Sequence, residues 1–148
     1  MPAKKDPRTN RNSAAIAGVR EVYAELAKRP VERDCIRRTE CCQFRLTGQT
    51  PWLTDSEAVL AVKALRATGR TRLPEAKDGA CPMLEERTGR CLIYADRPFA
   101  CRTHFCAAAG GPYSRREVVD LIRRLEEISA TLEGGGPRPI EAALAAYI

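Results

Sequence analysis

The chain has 148 residues, a net charge of +6 from 25 basic and 19 acidic side chains, and only 5% aromatic residues. That length suits one domain with a modest core, and no run of about 18 apolar residues exists to cross a bilayer. The charge permits contact with anionic partners without establishing it. The start, MPAKKDPRTNRNS, lacks the apolar segment of a secretory signal, so a reducing, cytoplasmic setting is expected.

Residues 1–12, with Lys4, Lys5, Arg8 and Arg11, read as a disordered basic tail, and 13–148 as a single cysteine-rich domain. Residues 13–29 read as a helix with Ile16, Val19, Tyr23 and Leu26 on its apolar face, started by Ser13 and stopped before Pro30. Gly18 is an awkward residue within it. Residues 34–46 lack helical periodicity and carry Cys35, Cys41 and Cys42; residues 47–53 form a turn, with Trp52 expected in the core.

Residues 54–68 form a second helix: Thr54 with Glu57 makes a capping box, and Gly69 stands where a C-terminal cap belongs. Residues 69–80 are loop. The runs CPML and CLIY around EERTGR predict a small hairpin over 81–94, with Gly89 supplying the positive φ. Residues 95–113 run from Arg97-Pro98 to the last cysteines and a Gly110-Gly111-Pro112 break. The clearest helix spans 114–133, capped by Ser114 with Glu117 and lined by Val118, Leu121, Ile122, Leu125, Ile128 and Leu132. After Gly134-Gly135-Gly136-Pro137, a short helix closes the chain over 140–148. The expected fold is mainly α: three to four helices around an irregular cysteine-rich metal-binding segment, with at most a short β-hairpin.

The cysteines carry the functional signal. Cys35, Cys41 and Cys42 form one cluster; Cys81, Cys91, Cys101 and Cys106 form another, which also holds His104, the single histidine. Thiolates are soft ligands for zinc, iron–sulfur clusters or copper(I). A closed zinc site takes four Cys or His ligands, so this set suffices for two such sites, or for one with thiols to spare. No CxxC occurs, which excludes the usual zinc-finger and ferredoxin spacings. The competing reading of any one cysteine is a small buried hydrophobe. His104 reads equally as ligand, as hydrogen-bond donor behind a ligand, or as surface imidazole.

The order of motifs resembles the YkgJ-type zinc- or iron-chelating domain family, whose hallmark CxxCxxCC is followed by C-P-x-L, C-x-I-Y, R-P and C-R. Cys35, Cys41 and Cys42 match the first, third and fourth hallmark cysteines; Arg38 replaces the second and cannot ligate a metal. Cys81-Pro82-Met83-Leu84, Cys91-Leu92-Ile93-Tyr94, Arg97-Pro98 and Cys101-Arg102 match the later motifs, and Cys106 stands for the last cysteine. The resemblance covers about residues 35–106. It implies a protein that binds zinc or iron, the iron as an ion or an iron–sulfur cluster, in a structural or redox role.

Flagellin lysine N-methylases contain a similar cysteine domain, so the resemblance also implies an enzyme or enzyme subunit as an alternative. Neither glycine run follows a strand as a methyl-donor loop does, and Cys101 with His104 is the one candidate nucleophile–base pair. A nucleic-acid or protein adaptor is a further alternative, with no aromatic-interleaved basic patch to support it. Arg37, Arg38, Arg97 and Arg102 are available to offset thiolate charge; Arg97 and Arg102 are expected rather in structural salt bridges.

Overall fold

The computed structural model describes residues 6–29, 50–75, 79–85, 87–104, 113–132 and 134–148. Among these residues five α-helices dominate: α1 (Pro7–Lys28), α2 (Asp55–Ala67), α3 (Phe99–Thr103), α4 (Arg115–Ala130) and α5 (Ile140–Ala145). Also among them are four two-residue strands, β1 (Trp52–Leu53), β2 (Leu84–Glu85), β3 (Arg90–Cys91) and β4 (Arg138–Pro139), which pair as β1 with β4 and β2 with β3, both antiparallel. The fold is mainly α, as the apolar periodicities imply. No described helix is long and apolar enough to cross a membrane.

α1 begins earlier than Ser13. The Asp6 carboxylate accepts from Arg8 N at 2.9 Å, and Pro7 takes the first helical position, where its missing N–H costs nothing. Residues 7–12, placed in the tail by their polar composition, are therefore helical but bury no apolar face. The buried face starts at Ala15 and runs through Ile16, Val19, Val22, Tyr23 and Leu26. Gly18 has a packing reason: a Cβ there would stand 3.0 Å from Ile128 Cδ1, so the glycine lets α4 approach closely.

α2 is the central element. Every residue from Asp55 to Val62 is buried, as is Leu65, so it packs on both sides. One side, with Val59 and Leu60, joins α1, Phe99 and the Val118, Leu121, Leu125 face of α4. The other, with Ala58, Ala61, Val62 and Leu65, joins Leu53, the hairpin residues Cys81, Met83 and Ile93, and α5.

The hairpin pairs Leu84 with Cys91 and Glu85 with Arg90, and Gly89 adopts φ +65° in its turn. The β1–β4 ladder, which pairs Trp52 with Pro139, has no sequence signal because its strands are two residues long and distant in the chain. Trp52 corrects an expectation: it is 59% exposed. The short ladder turns it outward and Leu53 inward, because side chains alternate along a strand.

Candidate metal centre

The first turn of α2 organises everything around the described cysteines. Thr54, Asp55, Ser56 and Glu57 are all buried, and each side chain is hydrogen-bonded. Glu57 completes the capping box through Oε2, which accepts from Thr54 N at 3.0 Å and from Thr54 Oγ1 at 3.1 Å. Its other oxygen, Oε1, accepts from the Tyr23 hydroxyl at 2.9 Å and from Phe99 N at 2.7 Å. One carboxylate thus joins α1, α2 and the first amide of α3. Burial, then the charge of Glu57 and the hydrogen bond to it, push the Tyr23 phenol well above its ordinary pKa.

α3 carries Cys101 and ends at His104. It is a helix of five residues, far too short to hold itself together, so its neighbours decide where it lies. Glu57 holds its start. Arg102 lies over the Tyr23 ring at 4.0 Å, while its Nε and Nη2 donate to the carbonyls of Arg97 at 2.7 Å and Ala95 at 2.8 Å. The Thr103 carbonyl accepts from Tyr113 N at 2.8 Å, tying the helix end to the start of α4.

Salt bridges are expected of Arg97 and Arg102, and among the described residues neither is in an ion pair with a carboxylate. Arg97 lies over the Tyr94 ring at 4.2 Å and donates to the Tyr94 carbonyl at 3.2 Å. The adjacent carboxylate, Asp96, lies 3.6 Å from Arg20 instead. Burial lowers the Arg102 pKa, although a guanidinium stays charged at any ordinary pH.

Of the candidate ligands, Cys81, Cys91, Cys101 and His104 are described; Cys35, Cys41, Cys42 and Cys106 lie outside the described residues. Cys81 and Cys91 share the hairpin. Cys81 is buried and Cys91 half-buried, both against the second core cluster. Cys101 and His104 are half-buried on α3. Among the described residues, no three Cys, His, Asp or Glu side chains gather as a ligand set.

Two contacts hold described residues that flank the cysteines outside the described set. Arg29, the last described residue before Cys35, donates to the Glu117 carbonyl of α4 at 2.7 Å and pairs with Asp120. Tyr113, the first described residue after Cys106, is hydrogen-bonded to Thr103. Both anchors lie at the N-terminal end of α4, which the second ties to the end of α3. The donor set, thiols with one imidazole, matches the soft ligands that zinc and iron prefer.

A family model described as "CxxCxxCC: putative zinc- or iron-chelating domain" matches residues 34–124, more than half of the chain and every cysteine in it. The chain belongs to the CxxCxxCC family. No curated protein and no solved structure shows significant similarity to it. The CxxCxxCC match reaches beyond the last cysteine into α4, so the matched region includes the helix to which Arg29 is bonded.

Residue type and order alone point to the cysteines of this CxxCxxCC domain. The parts played by Glu57 and Tyr23 do not show in the sequence. The capping box announces Glu57 only as a helix start, and Tyr23 reads as core. Their meeting with Phe99 depends on a tertiary contact across more than 40 residues.

Proposed function

We propose that this chain binds zinc or iron through its cysteine thiolates and uses the metal as a structural clasp. Cys35, Cys41 and Cys42 would be drawn to the hairpin pair Cys81 and Cys91 and to Cys101 and Cys106, with His104 as a further donor. The helical frame and the cysteine-bearing stretches would then fold as one domain, in a reducing compartment where thiols stay available to metal. The metal supplies Lewis-acidic bonds that join segments too polar to pack by themselves.

The observation that carries this reading is the anchoring of α3. A five-residue helix bearing a cysteine is held at its start by a buried carboxylate and at its end by Arg102 and Tyr113. That is the rigid support a ligand needs if it is to be in place before the metal arrives. A structural role is favoured over redox sensing because Cys81 is buried against aliphatic side chains and Cys91 and Cys101 are half-buried, whereas sensor thiols are open to oxidant.

Metal analysis of full-length protein purified without oxygen tests the reading. Stoichiometric zinc in a colourless sample, or iron with visible absorbance where a cluster is present, is the expected result. Treatment with a chelator should lower Tm and speed amide exchange over 81–104, while most of the helical circular-dichroism signal survives. Protein that is fully folded, and equally stable, with no bound metal before or after chelation refutes it.

A further inference from the structure

We propose that Glu57 and Tyr23 are positioning residues of the metal centre, and that the carboxylate reaching from α2 sets where α3 presents Cys101 and His104 to the ion. This rests on the metal-binding reading above and extends it to two residues outside the cysteine motifs.

Glu57 is more than a helix cap. Capping α2 occupies only Oε2; Oε1 is given entirely to other elements, accepting from the Tyr23 hydroxyl and the Phe99 amide. Burying a carboxylate is costly unless donors surround it, and among the described residues four hydrogen bonds do so, none of them from a cation. A neutral side chain could cap α3 at lower cost. The buried carboxylate adds stiffness, since two donors on one oxygen fix the start of α3 against both α1 and α2.

Tyr23 acts at both ends of α3. Its hydroxyl shares Glu57 with the Phe99 amide, and its ring supports Arg102, the residue after Cys101. Loss of the hydroxyl or of the carboxylate would let α3 shift without removing any metal ligand. Side chains hydrogen-bonded to a metal's ligands typically change affinity 10–100-fold when altered, and Glu57 and Tyr23, which act through the backbone of α3, are expected at the low end of that range.

The test uses the full-length chain, stripped of metal and reloaded with cobalt(II), in wild type, Glu57→Gln, Tyr23→Phe and Ser129→Ala. Ser129→Ala is the control: it removes bonds to the same helix turn, at Ser56, without touching α3 or the cluster that buries Cys81. Glu57→Gln and Tyr23→Phe are expected to weaken cobalt(II) and zinc binding by about tenfold and to shift the cobalt ligand-field bands. Ser129→Ala should lower Tm and leave affinity and bands unchanged. If the two positioning variants lose only Tm and keep wild-type affinity and spectrum, the assignment fails while the metal reading stands. Equal loss of affinity in all three variants also defeats it, because general loosening would then account for the effect. A wild-type chain that takes up neither ion defeats both. Should Glu57→Gln fail to fold, Tyr23→Phe decides alone, since it keeps the ring beneath Arg102.

Discussion

Replacing Asp55 by alanine should release the C-terminal segment. The Asp55 carboxylate is buried and accepts from Gly136 N at 3.0 Å, Arg138 Nη2 at 2.7 Å and Tyr147 Oη at 2.8 Å. Hydrogen bonds to a charged acceptor contribute about 1.5–3 kcal/mol each, but Arg138 is 31% exposed and its pair with Asp55 must be discounted to about 1 kcal/mol or less. Taken at the lower end of that range, the three bonds sum to about 4 kcal/mol, and some is recovered as water reaches the stranded donors, leaving an expected loss of about 3 kcal/mol. The loss cannot exceed the free energy that holds residues 134–148 in place, since beyond that point the segment opens locally. It would take Ile140, Ala143 and Leu144 out of the second core cluster. Urea unfolding should show the midpoint falling, with Tm lower by about 6–12 °C for a chain of this size. Proteolysis should begin around 134–139. A loss below about 1 kcal/mol would show that these bonds are no stronger than those water offers, and the argument would fail.

Three further outcomes follow from the same geometry. Gly134→Ala should cost about 1–3 kcal/mol in urea, because a Cβ there would run into the Asp55 carboxylate; an unchanged midpoint would contradict that close approach. Burial, then the Asp55 hydrogen bond, raise the Tyr147 pKa to about 12 from the ordinary value of 10.0. The folded state therefore holds this proton more tightly, its contribution is fully present below pH 10 and is lost as pH rises toward about 12, and Tyr147→Phe should flatten that decline. Trp52, 59% exposed and the only tryptophan, should emit as a solvated indole and be open to acrylamide; blue-shifted, protected emission would place it elsewhere.

What could be read in advance divides along local and non-local lines. α4 was legible because Val118, Leu121 and Leu125 recur at helical spacing behind a Ser114–Glu117 capping box, and both features appear in the fold. The hairpin followed from two short apolar runs and Gly89. The first turns of α1 were hidden because residues 7–12 carry no apolar stripe, although Asp6-Pro7 is a helix-start signal. The β1–β4 ladder, the exposure of Trp52 and the carbonyl grip on Arg102 depend on segments that meet only in three dimensions. For the candidate site, thiol chemistry was plain from composition and order. The support beneath Cys101 was not, because Glu57, Tyr23 and Phe99 come from three separate elements.

The four residues Thr54-Asp55-Ser56-Glu57 explain why the frame can carry such long polar stretches. Asp55 holds the C-terminal segment. Ser56 meets Ser129 of α4, Oγ to Oγ, at 2.7 Å, and Glu57 reaches α1 and α3. Two buried carboxylates in one helical turn would ordinarily repel and resist desolvation. Here they lie at the positive end of the α2 dipole; of their seven hydrogen bonds, two close the cap at Thr54 and five run outward to other elements. The turn is therefore a polar junction inside an apolar core, and its bonds are directional where aliphatic contacts are not. Directionality is what a metal centre needs from its frame: leucines would bury α3 equally well, but would not set the angle at which Cys101 is offered.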